Sequence, residues 1–268
     1  MMEPYKQDYH IHTKFSVDSE ANMEAACEAA LACGISEIAF TDHLDFGPED
    51  SSGYFRATEY LAAIERCRAQ YDGRLVVRAG VEVGEPHLFA AEACAVVAHA
   101  DFDIVLGSAH YADGMQAAWM EDFFEQPLRQ AYESYFRQVV DLSAEGEFDV
   151  LGHLDLVKRD AHKFGRPYDG PEPYADMIRT ALRSLVERGK GIEVNTSPLR
   201  HGQPEPCPSP QILRWYRELG GEILTLGSDA HSPAAVGAHI DLAMEIARGT
   251  GFEHLATFRK RHIDWIRI

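Results

Sequence analysis

The sequence predicts an α/β fold in which parallel strands alternate with helices and close into a barrel. Two observations lead to this prediction. Seven short apolar runs recur along the 268 residues, and segments with helical spacing of apolar residues separate them, which is typical of a parallel sheet with crossover helices. Most of the runs also end on a histidine or a carboxylate. Because a parallel barrel gathers the carboxyl ends of its strands on one face, these polar residues are expected to meet there.

The predicted strands begin near the first residues of the chain and end near residue 231. The first reaches His10 and His12, the third reaches Glu82, and the last reaches Asp229 and His231. The seven runs cover residues 8–13, 38–43, 76–82, 104–110, 150–153, 192–196 and 223–231.

The first predicted helix begins after Ser19, which can cap it, and continues through Met23, Cys27 and Leu31 until Gly34 ends it. The insertion at 111–147 is rich in aromatic residues and is expected to supply a long helix over the barrel. Further helical patterns lie at 60–71, followed by Gly73, at 88–100, at 177–186, followed by Gly189, and at 208–219 and 242–247.

Length and composition fit one domain that spans residues 1–268. The hydrophobic fraction is 46%, and no apolar run approaches the ~20 residues that span a bilayer. The first residues lack the pattern of a secretory signal, and the five cysteines form no C-x-x-C pair. A cytoplasmic protein is therefore expected. The formal net charge of -18 argues against a nucleic-acid partner, which requires clustered Lys and Arg.

Residues at the strand ends have the types and spacing of metal ligands. In His10-x-His12 both side chains point to the same face of a strand, so both imidazoles can reach one ion. Asp229-x-His231 repeats this spacing on the last strand. Glu82 ends a buried run, where a carboxylate is costly unless it is paired or bound to metal. Imidazole and carboxylate ligands together favour Zn, Fe or Mn.

Three further runs end on single histidines, which extends the predicted site to more than one ion: His43, His110 and His153. His162 and His201 lie near the predicted mouth of the barrel, and their role stays open. The remaining histidines are expected in helices or loops, as surface or packing residues: His87, His99, His239, His254 and His262.

Taken as an ordered set, these motifs resemble the PHP (polymerase and histidinol phosphatase) family over essentially the whole chain. The resemblance implies a distorted (β/α)7 barrel that holds three divalent metal ions. It is carried by His10-x-His12-Thr13, Thr41-Asp42-His43, Gly80-Val81-Glu82, Gly107-Ser108-Ala109-His110, Gly152-His153-Leu154-Asp155 and Gly227-Ser228-Asp229-Ala230-His231.

The resemblance also implies how the ligands divide among the ions. The first ion would be held by His10, His12, Glu82 and Asp229. Glu82 would bridge to a second ion, completed by His110 and His153. The third would be held by Asp18, His43 and His231, although many members have histidine where this chain has Asp18. Glu82, Asp229 and His231 are also expected to take part in catalysis.

Within the family, the motifs after His110, after Gly152 and around Asn195 look most like those of histidinol-phosphate phosphatases. This implies hydrolysis of L-histidinol phosphate, a step of histidine biosynthesis, by a hydroxide shared between two ions. Met115 and Pro198 depart from the usual Trp and Gly in loops expected to face the substrate. The alternative is therefore another small phosphate ester, such as a nucleotide or sugar phosphate.

Three basic residues are candidates for a phosphate clamp. Arg159 and Arg200 follow active-face strands by a few residues, and Arg binds phosphate oxygens in a bidentate manner; Lys158 is a weaker candidate. Asp155 and His201 are candidates for protonating the leaving alcohol, and a metal-bound water is the alternative. Three divalent ions outweigh the three carboxylate ligands and a hydroxide by about two positive charges, which complements a phosphate dianion.

Two other classes of protein share part of this pattern. A non-catalytic PHP module, like those fused to DNA polymerases, would bind metal and hydrolyse no ester. An amidohydrolase also begins with His-x-His, but that superfamily often bridges its metals with a lysine. No lysine ends a strand-like run here, and Glu82 occupies the plausible bridging position. The oligomeric state stays open.

Overall fold

The computed structural model describes residues 5–47, 53–117 and 121–268. Its centre is the predicted parallel barrel, and all seven predicted runs form its strands in chain order, β1, β2, β4, β5, β8, β9 and β10. The strands of the described residues are β1 (Gln7–Ile11), β2 (Glu37–Phe40), β3 (His43–Leu44), β4 (Val76–Gly84), β5 (Ile104–Ser108), β6 (Tyr111–Ala112), β7 (Met115–Gln116), β8 (Val150–Leu151), β9 (Gly191–Asn195), β10 (Leu224–Gly227), β11 (His254–Arg259) and β12 (His262–Arg267).

The first and last barrel strands approach each other at their carboxyl ends, so the barrel is nearly closed. Ile11 and Ala230 form a parallel bridge, and the amide of His12 donates to the Ala230 carbonyl at 2.8 Å. The buried carboxylate of Asp8 accepts from the Ser228 amide at 2.7 Å and from the Gly237 amide at 2.8 Å. This closure brings the residues after β1 beside those after β10.

Helices surround the barrel, and most lie where the sequence predicts them. Gly34, Gly73 and Gly189 each follow a helix with positive φ, as expected of helix-ending glycines. The long helix of the insertion packs against a neighbouring helix of the outer layer. The helices are α1 (Met23–Ala32), α2 (Ala57–Gln70), α3 (Ala90–Val97), α4 (Leu128–Glu145), α5 (Val157–Lys163), α6 (Ala175–Glu187), α7 (Ser197–Arg200), α8 (Pro210–Glu218) and α9 (Ile240–Gly249).

The predicted cap of the first helix is wrong. Asn22 caps α1 by accepting from the Ala25 amide at 3.1 Å. The Ser19 hydroxyl instead donates to the carbonyls of His12 and His231. Ser19 therefore ties together two loops that carry candidate metal ligands.

A carboxyl-terminal hairpin, β11 and β12, fills the barrel at the amino ends of its strands. His254 and His262 begin these two strands, so their prediction as helix or loop residues is wrong. Phe258 packs against Tyr9 with ring centroids 6.5 Å apart, and its amide donates to the Tyr9 hydroxyl. Its turn contacts Asp103 and Asp149, which directly precede β5 and β8, so the hairpin lies at the end opposite the predicted ligands. Among the described residues, no helix is both long and apolar enough to cross a membrane.

Candidate metal centre

All nine predicted ligands come together at the carboxyl ends of the barrel strands. His10 lies in β1, His43 in β3 and Glu82 in β4. The remaining six lie in the loops that follow β1, β5, β8 and β10: His12, Asp18, His110, His153, Asp229 and His231. Two of these loop residues have positive φ, +21° for His153 and +55° for Asp229. Strained backbone of this kind clusters at functional sites.

Glu82 is at the centre of the cluster, and each of its oxygens faces a different side. Its Oε2 lies 3.1 Å from His10 Nε2, 3.4 Å from His12 Nε2 and 3.3 Å from His43 Nδ1. Its Oε1 lies 2.8 Å from His153 Nε2 and 3.4 Å from His110 Nε2. One carboxylate is thus shared by five imidazoles, which is the arrangement that a bridging ligand requires.

Asp229 and Asp18 connect the rest of the cluster. Asp229 Oδ1 lies 3.4 Å from His12 Nε2 and 3.5 Å from His231 Nδ1. Asp18 Oδ2 lies 2.9 Å from His231 Nε2 and 3.6 Å from His43 Nε2. Asp18 is therefore within reach of both ligands that the resemblance groups with it.

Three groups of side chains in this cluster have ligand atoms close enough to share one ion each. They overlap with the three implied ligand sets but differ from each: the first lacks Asp229, the second has His43 in place of His153, and the third gains His12. The groups are His10, His12 and Glu82; His43, Glu82 and His110; and His12, Asp18, His43 and His231.

Burial and opposite charges set the protonation of these side chains. Burial, with His231 and His43 nearby, lowers the pKa of His12 to about 3. For His10, burial lowers the pKa, but the carboxylates of Glu193, Glu82 and Asp229 raise it well above its ordinary value. Burial raises the pKa of Glu82, and His10 and His43 more than offset this, so that it lies well below the usual range.

The donor set fits divalent metal ions. The ligand atoms are imidazole nitrogens and carboxylate oxygens, the mixture that favours Zn, Fe or Mn. His12 Nε2 is buried and has no hydrogen-bond partner among the described residues, although it faces carboxylate oxygens of Glu82 and Asp229. A metal ion between these groups would satisfy it, whereas a buried nitrogen left without a partner is costly.

Sequence reasoning did not assign a role to Glu193, which holds two ligands in place. Its Oε1 lies 2.8 Å from His10 Nδ1, and its Oε2 accepts from the His153 amide at 2.9 Å. A Cβ on Gly227 would lie 2.1 Å from Glu193 Oε1, so glycine is needed beside it. Carboxylates that orient metal-binding histidines in this way tune metal affinity.

Asp45 is a second carboxylate that the sequence analysis missed. Its Oδ2 lies 3.1 Å from His43 Nδ1, and its Oδ1 lies 3.8 Å from His110 Nδ1. A Cβ on Gly84 would lie 2.2 Å from Asp45 Oδ1. The signal was present in the sequence, because His43-x-Asp45 repeats the spacing of His10-x-His12 and Asp229-x-His231.

Beside the cluster opens a cavity of about 680 Å³, and both predicted clamp arginines line it. Arg159 Nη1 donates to Ser197 Oγ and to Asp229 Oδ2, each at 3.2 Å. Arg200 Nη2 donates to the Asp229 carbonyl at 2.9 Å, and Nη1 donates to the Ser228 carbonyl. Both guanidinium groups are therefore fixed next to a candidate metal ligand.

Other residues predicted to face the substrate lie elsewhere. Lys158 is buried, and its Nζ donates to Asp155 Oδ2 at 2.8 Å and to the Pro206 carbonyl at 2.6 Å, so it lies outside the cavity lining. The Asp155 carboxylate, a predicted proton donor, accepts this hydrogen bond and does not line the cavity. Pro198 is buried in the first turn of α7, where proline is well tolerated. Met115, in β7, also lies outside the lining.

A β/α barrel with a histidine- and carboxylate-rich cluster at its mouth defines a class of metal-dependent hydrolytic proteins. Comparison with known proteins identifies the group within this class. The PHP domain family model matches residues 8–197. The chain belongs to the PHP domain family.

The chain is also similar to individual family members over almost its whole length. It is 30% identical to the histidinol-phosphatase of Lactococcus lactis, over 97% of this chain and 96% of that protein. It is 30% identical to the probable histidinol-phosphatase of Deinococcus radiodurans, over 96% of this chain and 98% of that protein. Both matches extend well beyond residue 197.

Solved structures agree with this relationship. The crystal structure of histidinol phosphate phosphatase from Lactococcus lactis, complexed with zinc, L-histidinol and phosphate, superimposes with a TM-score of 0.87 at 29% identity. The match covers 97% of this chain and 98% of that one. A putative histidinol phosphatase from Listeria monocytogenes has the same fold, with a TM-score of 0.71 at 19% identity.

Proposed function

We propose that the protein is a metal-dependent phosphomonoesterase that hydrolyses L-histidinol phosphate to L-histidinol and inorganic phosphate, a step of histidine biosynthesis. The observation that carries the proposal is the cluster around Glu82, which opens onto a cavity lined by Arg159 and Arg200. The relatives named for this activity, and the Lactococcus lactis structure that contains zinc, L-histidinol and phosphate, support the same substrate.

The metal ions would be zinc, iron or manganese, held by the nine ligands described above. When bound, such ions lower the pKa of water into the neutral range and neutralise phosphate oxygens. The side chains of the cluster fix where this chemistry occurs. Glu82 lies between two groups of histidines. Asp229 and Asp18 lie on the side of the cluster that faces the cavity.

The two arginines would bind the non-bridging oxygens of the phosphate. Arg159 is held by Asp229 and Ser197, and Arg200 by two backbone carbonyls, so little conformational freedom remains to be lost on binding. An arginine fork suits phosphate geometry better than a lysine. Lys158 is left with a structural role in this proposal.

Hydrolysis forms a bond from the water oxygen to phosphorus, breaks the ester bond and returns a proton to the alcohol oxygen. Of the two predicted proton donors, only His201 lines the cavity. Burial, together with Arg159 and Arg200, lowers the pKa of His201, which makes it a poor donor at neutral pH. We therefore assign the proton to water rather than to a side chain.

Steady-state kinetics on protein of measured metal content would test this function. Inorganic phosphate release is compared for L-histidinol phosphate and for a panel of nucleotide and sugar phosphates. We expect kcat/KM for L-histidinol phosphate to be at least about tenfold higher than for any other ester. Equal kcat/KM values for all the esters would contradict L-histidinol phosphate as the substrate. No hydrolysis of any ester by the metal-loaded protein would overturn the reaction.

The proposal extends to the whole chain as one domain, residues 1–268. The family match ends at residue 197, yet β10 lies beyond it, and so do the proposed ligands Asp229 and His231, which are within 3.5 Å of each other. We further propose that the protein acts in the cytoplasm on a small phosphorylated substrate. The expectation that it binds no nucleic acid stays a prediction that rests on its charge.

A further inference from the structure

A second cavity lies at the end of the barrel opposite the metal centre. Its volume is about 800 Å³, and it shares no lining residue with the cavity beside the metal centre. Val76, Val77 and Arg78, at the start of β4, form part of its wall. Glu82 lies further along the same strand, about 20 Å from Val76 at the rise of an extended chain. The second cavity is therefore separate from the site of the proposed reaction.

The lining of the second cavity is basic, although the protein is strongly acidic. Four arginines and one lysine line it against two aspartates, so the lining is net positive while the whole chain carries a charge of -18. Cations gathered from separate segments repel each other, and an anion between them relieves this repulsion. The five cations lie on α2, in the loop after it, on β4 and at the end of β11 with its turn: Arg68, Arg74, Arg78, Arg259 and Lys260.

Asp103 holds part of this lining in place. Its buried carboxylate accepts from Arg68 Nη2 and from the Ala79 amide through Oδ2. Its Oδ1 accepts from the Lys260 amide at 3.0 Å. The negative charge of Asp103 is therefore balanced by Arg68, and the turn of the terminal hairpin is anchored beside the start of β4. The side chain of Lys260 lines the cavity without a carboxylate of its own.

Three of the five cations are weakly paired or unpaired. Arg74 lies 3.9 Å from Glu28 Oε2, and both side chains are more than half exposed. Arg259 and Lys260 are exposed and form no ion pair among the described residues. In the same lining, Val76 leaves 43% of its surface exposed. Unpaired cations beside exposed apolar surface suit an anion that also has an apolar part.

The geometry points to the second cavity as a binding site for a small organic anion with two or more phosphate groups on an apolar body, as in a nucleotide. Four of its five cations are arginines, whose planar forks match phosphate oxygens. Its volume is in the range of small-molecule sites. The inference goes beyond the proposed function and does not depend on it, because this ligand binds at the other end of the barrel.

Calorimetric titration of the metal-loaded protein with naphthalene trisulfonate tests the site. This probe is an aromatic trianion whose sulfonates bind metal ions weakly. We expect Kd to rise about tenfold in the double variant Arg259→Gln, Lys260→Gln, which loses two cations. Arg74→Gln, on a different segment, should also weaken binding. Arg267→Gln, exposed on β12 of the same hairpin and outside the lining, is the matched control and should change Kd less than about twofold.

Competition with the probe identifies the chemistry of the ligand. ADP should displace naphthalene trisulfonate, whereas adenosine, which has the same apolar body and no phosphate, should not. Displacement by both alike would overturn the anion site. So would the absence of probe binding to wild type, or equal Kd in wild type and in the hairpin double variant.

Arg200→Ala shows whether the probe binds at the metal centre instead. This variant removes a cation from the other cavity and should leave the Kd of the probe unchanged. A rise as large as that in the hairpin double variant would place the probe at the mouth of the barrel and overturn the inference. None of these outcomes depends on whether the protein hydrolyses an ester.

Discussion

Glu82 is the side chain on which the metal centre depends, because five imidazoles lie within 3.4 Å of its two oxygens. We expect Glu82→Ala to lose bound metal and to reduce kcat/KM by about a thousandfold or more, since metal ions contribute several kcal/mol to such reactions. Metal analysis and phosphate release measure both effects. Glu92→Ala, on the exposed face of α3, is the control. Wild-type metal content in Glu82→Ala would contradict the bridging assignment.

Arg200 separates phosphate binding from metal binding. Its contacts are with backbone carbonyls, so Arg200→Ala removes a phosphate donor and leaves all nine ligands in place. We expect KM to rise about tenfold to a hundredfold, as for a lost charge-assisted hydrogen bond, with metal content unchanged. Arg214→Ala on α8, whose guanidinium contacts only Gln211 among the described residues, is the comparison. Loss of metal in Arg200→Ala would place it in the cluster instead.

Glu193 is expected to control metal affinity without touching the metal. In Glu193→Gln the shape is kept and the negative charge beside His10 Nδ1 is lost. Metal affinity should fall about tenfold to a hundredfold, which is typical for partners of metal-binding histidines. Titration in a metal buffer measures it, and Glu187→Gln, exposed at the end of α6, should bind as wild type does. Unchanged metal affinity in Glu193→Gln would show that the contact between Glu193 and His10 does not affect metal binding.

The two unpredicted carboxylates change the charge balance of the site. Asp45 and Glu193 add two negative charges to the three of the ligands, which removes the excess of about two positive charges expected from three divalent ions and a hydroxide. Arg159 and Arg200 supply two positive charges on the cavity side. The attraction for phosphate therefore comes from the arginine wall as well as from the metals, which agrees with an acidic protein that binds an anion.

At the scale of single elements, the end of β10 shows how closely the strand ends are packed. A Cβ on Gly227 would lie 2.1 Å from Glu193 Oε1 and 2.5 Å from His10 Cβ. Gly227→Ala should therefore cost about 1–3 kcal/mol in the free energy of unfolding and weaken metal binding. Gly249→Ala, at the end of α9 with open space around it, should be neutral or slightly stabilising. Denaturant unfolding compares them, and equal stability would contradict the packing argument.

Patterns within one segment predicted the elements well, whereas contacts between segments were missed. Apolar runs identified the barrel strands, and the segments of helical spacing between them, often ended by glycine, identified most helices. Ser19 was taken as a helix cap because nothing local shows that its hydroxyl reaches His231. The terminal hairpin was missed because its role is to cover Tyr9 on the first strand. Glu193 lies inside a predicted strand, and its contact with His10 exists only once β9 and β1 face the same mouth.

At the scale of the whole molecule, the barrel has an apolar end and a charged end. At one end, Ala256 and Phe258 of the hairpin pack with Tyr9 and aliphatic side chains of the barrel strands, while buried imidazoles and carboxylates fill the other. The fold therefore provides the ligands from three strands and four loops at once. It also brings together buried charges that are stable only when they are balanced. Metal ions or protons can supply that balance, and the two have opposite dependences on pH.

Removing the metal should therefore reverse how stability depends on pH. In metal-free protein, burial lowers the pKa of His110, but Glu82 and Asp45 raise it to about 9. This folded-state pKa is above the unfolded value of about 6.5. The protonated His110 therefore stabilises the folded protein fully below pH 6.5, and this stabilisation is lost as the pH rises towards 9. Metal binding instead requires deprotonated ligands and strengthens with pH.

We expect the fall in Tm caused by a chelator to grow steadily between pH 6.5 and 9. Thermal unfolding with and without chelator, at a fixed concentration of total metal, measures this difference, because the ion stabilises the folded state in proportion to its affinity. His110→Gln, which cannot take up the proton, should flatten the pH dependence of the metal-free protein. A chelator effect that is constant or shrinks over this range would contradict the view that protons and metal ions compete for the same cluster.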